Sequence, residues 1–143
     1  MKLSVVIPCY NEMAVIEKIL FDIECCLSKL NILSDFEIIV INDCSTDDTE
    51  KILKKIVIKK FKYFSHLTNK GYGRSIKTGV NLSSFENIMI IDADGSYPIK
   101  FISQILNEYI KGFDCVIFQR DGKYFRENFF KSFLRKILGI IVN

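Results

Sequence analysis

Two carboxylates separated by one residue, Asp92 and Asp94, are the residues of this 143-residue chain best suited to chemistry. They sit in Asn-Ile-Met-Ile-Ile-Asp-Ala-Asp-Gly-Ser-Tyr-Pro, residues 87–98. Residues 88–91 are an unbroken apolar run, the pattern of a short strand buried on both faces. Gly95 and Pro98 end it, which places both acids where the strand leaves the core. Side chains alternate in extended backbone, so Asp92 and Asp94 point the same way. Two like charges held close repel each other unless something positive lies beside them. Oxygen-only ligands at an open strand end suit Mg²⁺ or Mn²⁺, a hard cation that can also hold a diphosphate. The competing reading is a solvated turn, because Asp-x-Asp-Gly is common in loops, and on its own the motif would lose to it.

The elements that must position these acids alternate in type along the chain. Residues 3–7 read as a buried strand stopped by Pro8. Ile16, Ile19, Leu20, Ile23, Leu27 and Leu30 then recur at helical spacing. Residues 36–41 are a second strand, apolar except for Glu37. The polar run 42–48 leads into a second helix, with Ser45 or Thr46 as the expected N-cap and Ile52, Leu53 and Ile56 as its buried stripe. A third strand is expected near residues 63–66, flanked by lysines that suit a sheet edge. Asn69-Lys70-Gly71-Tyr72-Gly73 is a glycine turn opening a helix from Arg74 to about Leu82. A fourth helix is expected from Pro98, as an N1 proline, to about Ile110, with Gly112 closing it. Residues 114–118 read as one more strand. This alternation predicts an α/β fold, a mostly parallel sheet with right-handed crossovers and helices on both faces. Ligands bind such sheets outside the carboxyl ends of the strands. The polar clusters 8–12, 42–48, 92–96 and 119–120 all fall at those ends.

Composition bounds the function. The chain is long enough for one domain, 49% hydrophobic with 12 Phe, so a core is expected and disorder is not. A net charge of +3 is too small to argue for nucleic acid, and Lys54, Lys55, Lys59, Lys60 and Lys62 read as a solvated face and edge protection. Five cysteines without Cys-x-x-Cys spacing fit a reducing cytoplasm, with Cys9 and Cys115 as small core hydrophobes. His66 is the sole histidine, which argues against zinc and against Ser-His chemistry and leaves it a structural role. No apolar run approaches the roughly 20 residues of a membrane span. The segment after Met1 lacks a signal-peptide core of adequate length.

The first strand–helix turn discriminates among nucleotide-binding schemes. Pro8-Cys9-Tyr10-Asn11-Glu12 is neither Gly-x-Gly-x-x-Gly nor Gly-x-x-x-x-Gly-Lys-Ser/Thr. Its proline and tyrosine suit a rigid wall against which a base packs, with Asp43 accepting a hydrogen bond from that base. Asp92 would then face ribose or metal, and Asp94 the metal.

Ile-Pro-Cys-Tyr-Asn-Glu, Ile-Ile-Val-Ile-Asn-Asp-Cys-Ser-Thr-Asp, Asn-Lys-Gly-Tyr-Gly and Ile-Asp-Ala-Asp-Gly-Ser, in this order, resemble the motifs of family 2 glycosyltransferases. Asp-Ala-Asp-Gly-Ser-Tyr-Pro and Arg120 are most similar to the polyprenyl-phosphate (dolichyl-phosphate) sugar transferases. The resemblance implies a Rossmann-like GT-A fold and inverting transfer from a UDP- or GDP-linked sugar to a lipid phosphate or glycan acceptor. It implies that Pro8, Tyr10, Glu12 and Asp43 hold the nucleotide, and that Asp92, Ala93 and Asp94 hold ribose, metal and diphosphate. Ser96 falls where many relatives carry a metal-contacting Gln, and Arg120 where a basic residue meets the donor phosphates. Asp94 and Arg120 would carry the chemistry, stabilising negative charge on the departing diphosphate. Two departures stand out. Asn42 replaces the first Asp of the usual Asp-Asp-Gly-Ser, and Cys44 replaces its Gly, which strains the turn if positive φ is required there.

Residues 123–143 carry Phe129, Phe130, Phe133, Leu134, Ile137, Leu138 and Ile141 as one helical stripe, with Arg126, Lys131, Arg135 and Lys136 off it. The pattern fits a helix on the protein's own core and a membrane-surface helix equally. The resemblance favours the membrane, because a lipid-linked acceptor is met at the bilayer. The expected division is a donor-binding domain over 1–122 and this helix over 123–143, on the cytoplasmic face of a membrane. Family members continue beyond the Arg120 region, so the expectation includes a chain that is short at its C-terminus.

Overall fold

The computed structural model describes residues 1–117. Met1–Leu106 forms one compact unit and Asn107–Asn143 a second. The first unit is built on four parallel strands: β1 (Lys2–Cys9), β2 (Asp35–Asn42), β3 (Phe61–Ser65) and β4 (Ile88–Ile90). Their order in the sheet is β3-β2-β1-β4. Helix α1 (Ile16–Ser28) joins β1 to β2, α2 (Thr49–Leu53) joins β2 to β3, and α3 (Tyr72–Leu82) joins β3 to β4. A 3₁₀ turn at Ile99–Phe101 leads into α4 (Ile102–Tyr109).

The topology fixes where helices go. The chain steps β1→β2→β3 in one direction and then returns past β1 to β4. Right-handed crossovers therefore put α1 and α2 on one face and α3 on the other. The packing agrees: α1 meets α2 and the 3₁₀ turn, and α3 lies over β1 and β2. Strand order reverses between β1 and β4, so a crevice opens at their carboxyl ends.

The core follows the sequence pattern closely. Leu3, Val5, Val6 and Ile7 of β1 and Ile38–Ile41 of β2 are buried, and α1 buries Ile16, Ile19, Leu20, Ile23 and Leu27 along one stripe. Each such side chain contributes about 1.5–3 kcal/mol of transfer free energy. Pro8 does not stop β1, which runs on to Cys9. Ser4 and Val6 bond toward the β4 side, so Pro8 faces that side as well, and β4 pairing has already ended at Ile90. The missing N–H of proline is therefore not needed there. Glu37, the one acid inside β2, accepts from Ser4 Oγ at 2.6 Å, Ser84 N–H at 2.5 Å and Lys62 Nζ at 2.8 Å. Strand β3 lies at the sheet edge as expected, with Lys62 and Lys60 paired to Glu37 and Asp35 of β2.

Several expectations need correction. Strand β4 is not buried on both faces: Ile88 is 37% and Ile90 41% exposed, whereas Met89 and Ile91 are buried. The first two lie on the side where α3 covers β1 and β2. Asp48, not Ser45 or Thr46, occupies the N-cap position of α2, without a side-chain cap hydrogen bond; the two hydroxyls meet Asn11 instead, Ser45 Oγ accepting its backbone N–H at 3.0 Å and Thr46 Oγ1 its side-chain amide at 3.1 Å. Pro98 precedes a 3₁₀ turn and is not the first residue of an α-helix. Residues 114–117 form no strand and pair with none of the four strands among the described residues. Cys115 is exposed there, whereas Cys9 is buried, and all five cysteines are free. In the described part of the second unit, Lys111 pairs with Glu108 and Gly112 takes φ +102° after the last helical turn. The segments 123–143 and 119–120 lie outside the described residues.

Candidate functional site

The loop after β1 and the loop after β2 are laced into one platform. Asn11 adopts φ +56°, and its side-chain oxygen accepts the Thr46 N–H at 2.7 Å. Glu12 N–H donates to Thr49 Oγ1 at 2.9 Å, and Met13 N–H to Asp47 Oδ2 at 3.2 Å. Asp47 also accepts the N–H and hydroxyl of Thr49 at 3.0 and 2.5 Å. Burial alone would push its carboxyl up, but these hydrogen bonds outweigh it and hold the carboxyl below the usual range.

Above the carboxyl ends of β1 and β4 this platform borders a cleft of about 390 Å³. Pro8, Tyr10, Glu12, Asp43, Asp92, Ala93 and Asp94 all line it, together with Cys9, Asn69, Gly71, Tyr72 and Ser75. Tyr10 is 46% exposed at the cleft, and Pro8 is buried. Ala93 is buried, and Asp94 is exposed in the turn that follows β4. A second cleft, about 510 Å³ and lined by Lys18, Ile19, Ile91, Tyr97 and Lys100 among others, shares Asp92 and Asp94 as its wall. The two acids thus stand on the partition between two clefts. Ser96 lines neither; its N–H donates to Asp94 Oδ1 at 2.8 Å. Arg120 lies outside the described residues.

The sequence reading missed Tyr72 as a cleft residue. Its hydroxyl donates to Asp92 Oδ1 at 2.8 Å, across from the first residue of α3 to the loop after β4. Burial, then the hydrogen bond to Asp92 and the charges of Asp92 and Asp94, push its phenol up to about 12, so it stays a proton donor at neutral pH. The signal lies in Asn-Lys-Gly-Tyr-Gly, where the tyrosine stands between the two glycines of the turn. Cys9 is no nucleophile. Burial, followed by the Glu12 and Asp47 charges, raises its thiol to about 12.

Asp43 is buried and heavily used. It accepts His66 Nδ1 at 2.7 Å, Lys70 N–H at 2.9 Å and Gly71 N–H at 2.7 Å. Burial raises its carboxyl, and these bonds more than offset that, leaving it below the usual range. It also occupies the positive end of α3, where a carboxylate is favoured.

The donor set fits a hard cation in one respect and limits it in another. Asp92 and Asp94 offer oxygen, and the field about them is negative: Glu12 is raised first by burial and then by the Asp94 and Asp47 charges. Among the described residues no group of three or more His, Cys, Asp or Glu gathers as a metal site. A cation held by the two acids would complete its shell from a ligand and water. No helix among the described residues is long and apolar enough to cross a membrane.

Comparison with known proteins places this chain in a family. The family model described as glycosyl transferase family 2 matches residues 4–139. The CsbB protein of Bacillus subtilis is 31% identical over 143 residues, covering 99% of this chain and 42% of its own. The dolichol-phosphate mannosyltransferase of Pyrococcus furiosus is 28% identical, covering 95% of this chain and 39% of its own. Among solved structures, residues 1–349 of TarS of S. aureus superpose with a TM-score of 0.60 at 29% identity, over 78% of this chain and 32% of that one. A mannosyltransferase from Pyrobaculum calidifontis, solved with GDP-Man and Mn²⁺, gives the same TM-score at 22% identity and bears on fold alone. These likenesses meet the expectation of a GT-A fold. The chain spans about two fifths of the length of the curated relatives it matches. The chain belongs to glycosyl transferase family 2.

Proposed function

We propose that this chain forms the donor-binding part of an inverting glycosyltransferase that moves a sugar from a nucleoside diphosphate to a polyprenyl phosphate. One observation carries the reading: the seven residues expected to hold nucleotide, ribose and diphosphate line a single cleft at the point where strand order reverses. Pro8 and Tyr10 form the wall for the base, and Asp43 offers it an acceptor. Asp92 and Ala93 face the ribose side, and Asp94 the diphosphate. Asp92 and Asp94 would hold Mg²⁺ or Mn²⁺, which when bound offsets charge on the leaving diphosphate. Arg120 would add a planar cation to the same phosphates. A lipid phosphate is already anionic, so this acceptor needs no general base. The polyprenyl-phosphate class is supported by relatives that act in that chemistry by name, a dolichol-phosphate mannosyltransferase and an undecaprenyl-phosphate 4-deoxy-4-formamido-L-arabinose transferase. Such an acceptor brings the chain to a membrane surface.

The test is calorimetric titration of the chain with UDP and GDP, each with and without Mn²⁺. Metal-dependent binding of one nucleotide, lost in Asp94→Ala, is expected. A folded chain that binds neither nucleotide would sink the reading. A second outcome is donor binding without transfer. Sugar transfer to a polyprenyl phosphate by a chain that binds nucleotide separates the two.

A further inference from the structure

The Asp43 carboxylate is largely committed before any ligand arrives. Oδ1 accepts from His66 Nδ1 and Lys70 N–H, and Oδ2 from Gly71 N–H. A carboxylate offers about four lone-pair sites. One remains, on Oδ2, in a residue that lines the cleft. What aims that lone pair is a set of contacts centred on the buried His66. The His66 side chain is 1% exposed, and its other nitrogen, Nε2, lies 3.0 Å from Thr78 Oγ1 of α3. Phe64 of β3 meets the imidazole edge-on, with ring centroids 5.6 Å apart.

A neutral imidazole has one N–H and one bare nitrogen. The acceptor-only carboxylate requires the N–H on Nδ1, which leaves Nε2 to accept the Thr78 hydroxyl proton, so Thr78 satisfies the tautomer that Asp43 selects and holds the ring in place. The arrangement ties the end of β2, the end of β3 and the middle of α3 to one carboxylate.

We infer that His66 and Thr78 are positioning residues for base recognition: they hold Asp43 so that its remaining Oδ2 lone pair meets a ring N–H of the nucleotide base. An acceptor-only group selects donors, and the ring N–H flanked by carbonyl in uracil or guanine is of that class. The inference rests on the nucleotide-binding reading above, and it predicts a defect confined to the base end of the ligand. A merely structural histidine would weaken all ligands alike or none.

The experiment titrates the chain, in Mn²⁺, with whichever of UDP or GDP binds, with the analogue methylated on that ring nitrogen, and with inorganic pyrophosphate. The unmodified protein should prefer the natural nucleotide over its methylated analogue by about tenfold or more. His66→Leu should erase that preference while leaving pyrophosphate affinity within about twofold. His66→Asn, whose amide can donate to Asp43 from nearly the same place, should restore most of it. Thr78→Val, which keeps the shape and removes the hydroxyl, should weaken the preference by a few-fold and serves if His66→Leu does not fold. Folded His66→Leu or Thr78→Val chains that keep the full preference would overturn the inference alone. An unmodified chain that binds no nucleotide would overturn it together with the reading beneath it.

Discussion

Cys44 shows what one backbone angle costs. It sits at φ +60° in the turn after β2, the left-handed region that a glycine occupies without penalty. Asn42 Oδ1 steadies the turn by accepting the Ser45 N–H at 3.2 Å, and Cys44 Sγ reaches the Leu67 carbonyl at 3.6 Å. Left-handed geometry costs a non-glycine residue about 1–2 kcal/mol, and glycine returns about 0.4–1 kcal/mol of that as unfolded-state entropy. The balance favours glycine. Cys44→Gly should therefore raise stability by about 0.5–1 kcal/mol, read as a higher urea midpoint at unchanged slope. A lower midpoint would show that the Sγ contact outweighs the backbone strain. Asn42, the other departure, is buried and donates to Ser65 Oγ at 3.1 Å, so the amide serves the β2–β3 junction beneath the cleft.

At the scale of the element, α3 is the piece that closes the cleft from the second face. It packs on the sheet through Ser75 and Gly79, both small and four residues apart. A Cβ at Gly79 would lie 2.3 Å from Val6 Cγ1 and 3.3 Å from Ile41 Cγ1. Val6 is fully buried and branched at Cβ, so it has no free rotamer to yield. Alanine in a helix gains about 1 kcal/mol over glycine, and overpacking a core costs about 1–3 kcal/mol. Overpacking wins. Gly79→Ala should lose about 1–2 kcal/mol in thermal or chemical unfolding, and should weaken nucleotide binding because α3 carries Gly71 and Tyr72 at the cleft mouth. A stabilised variant would mean that α3 rides higher on the sheet than described.

At the scale of the whole molecule, several carboxylates couple folding to pH. Glu37, Asp43 and Asp47 have burial working against ionisation, and in each the hydrogen bonds prevail and lower the pKa. A carboxyl lowered on folding stabilises the native state above its unfolded pKa, near 4. That contribution is lost as pH falls through the folded value. Glu12 runs the other way: burial and the Asp94 and Asp47 charges raise it, so its ionised form opposes folding at neutral pH and the penalty lifts on acidification. Three groups outvote one. The urea midpoint should fall steadily between about pH 5 and pH 3, and Asp43→Asn should flatten that slope. A midpoint independent of pH through this window would contradict the hydrogen-bond assignments on which the platform rests.

Element types and their order were readable from residue types alone, because a parallel α/β sheet writes continuous apolar strands and 3.6-period helices that local rules can recognise. Strand β1 with its following turn, the stripe of α1 and the Asp-Ala-Asp strand end were legible in this way. The positions of polar clusters at strand ends told where a ligand would go, since topology and carboxyl ends together locate the crevice. What required the assembled fold were the contacts between segments distant in sequence. Ser45 and Thr46 read as helix caps until Asn11, more than thirty residues away, took their hydroxyls. Asp43 read as a free acceptor until His66, Lys70 and Gly71 converged on it. Tyr72 became a cleft residue only when Asp92 came within reach of its hydroxyl. Hydrophobic period is a local property of the chain, whereas a side-chain hydrogen bond between distant segments exists only after the sheet has brought them together.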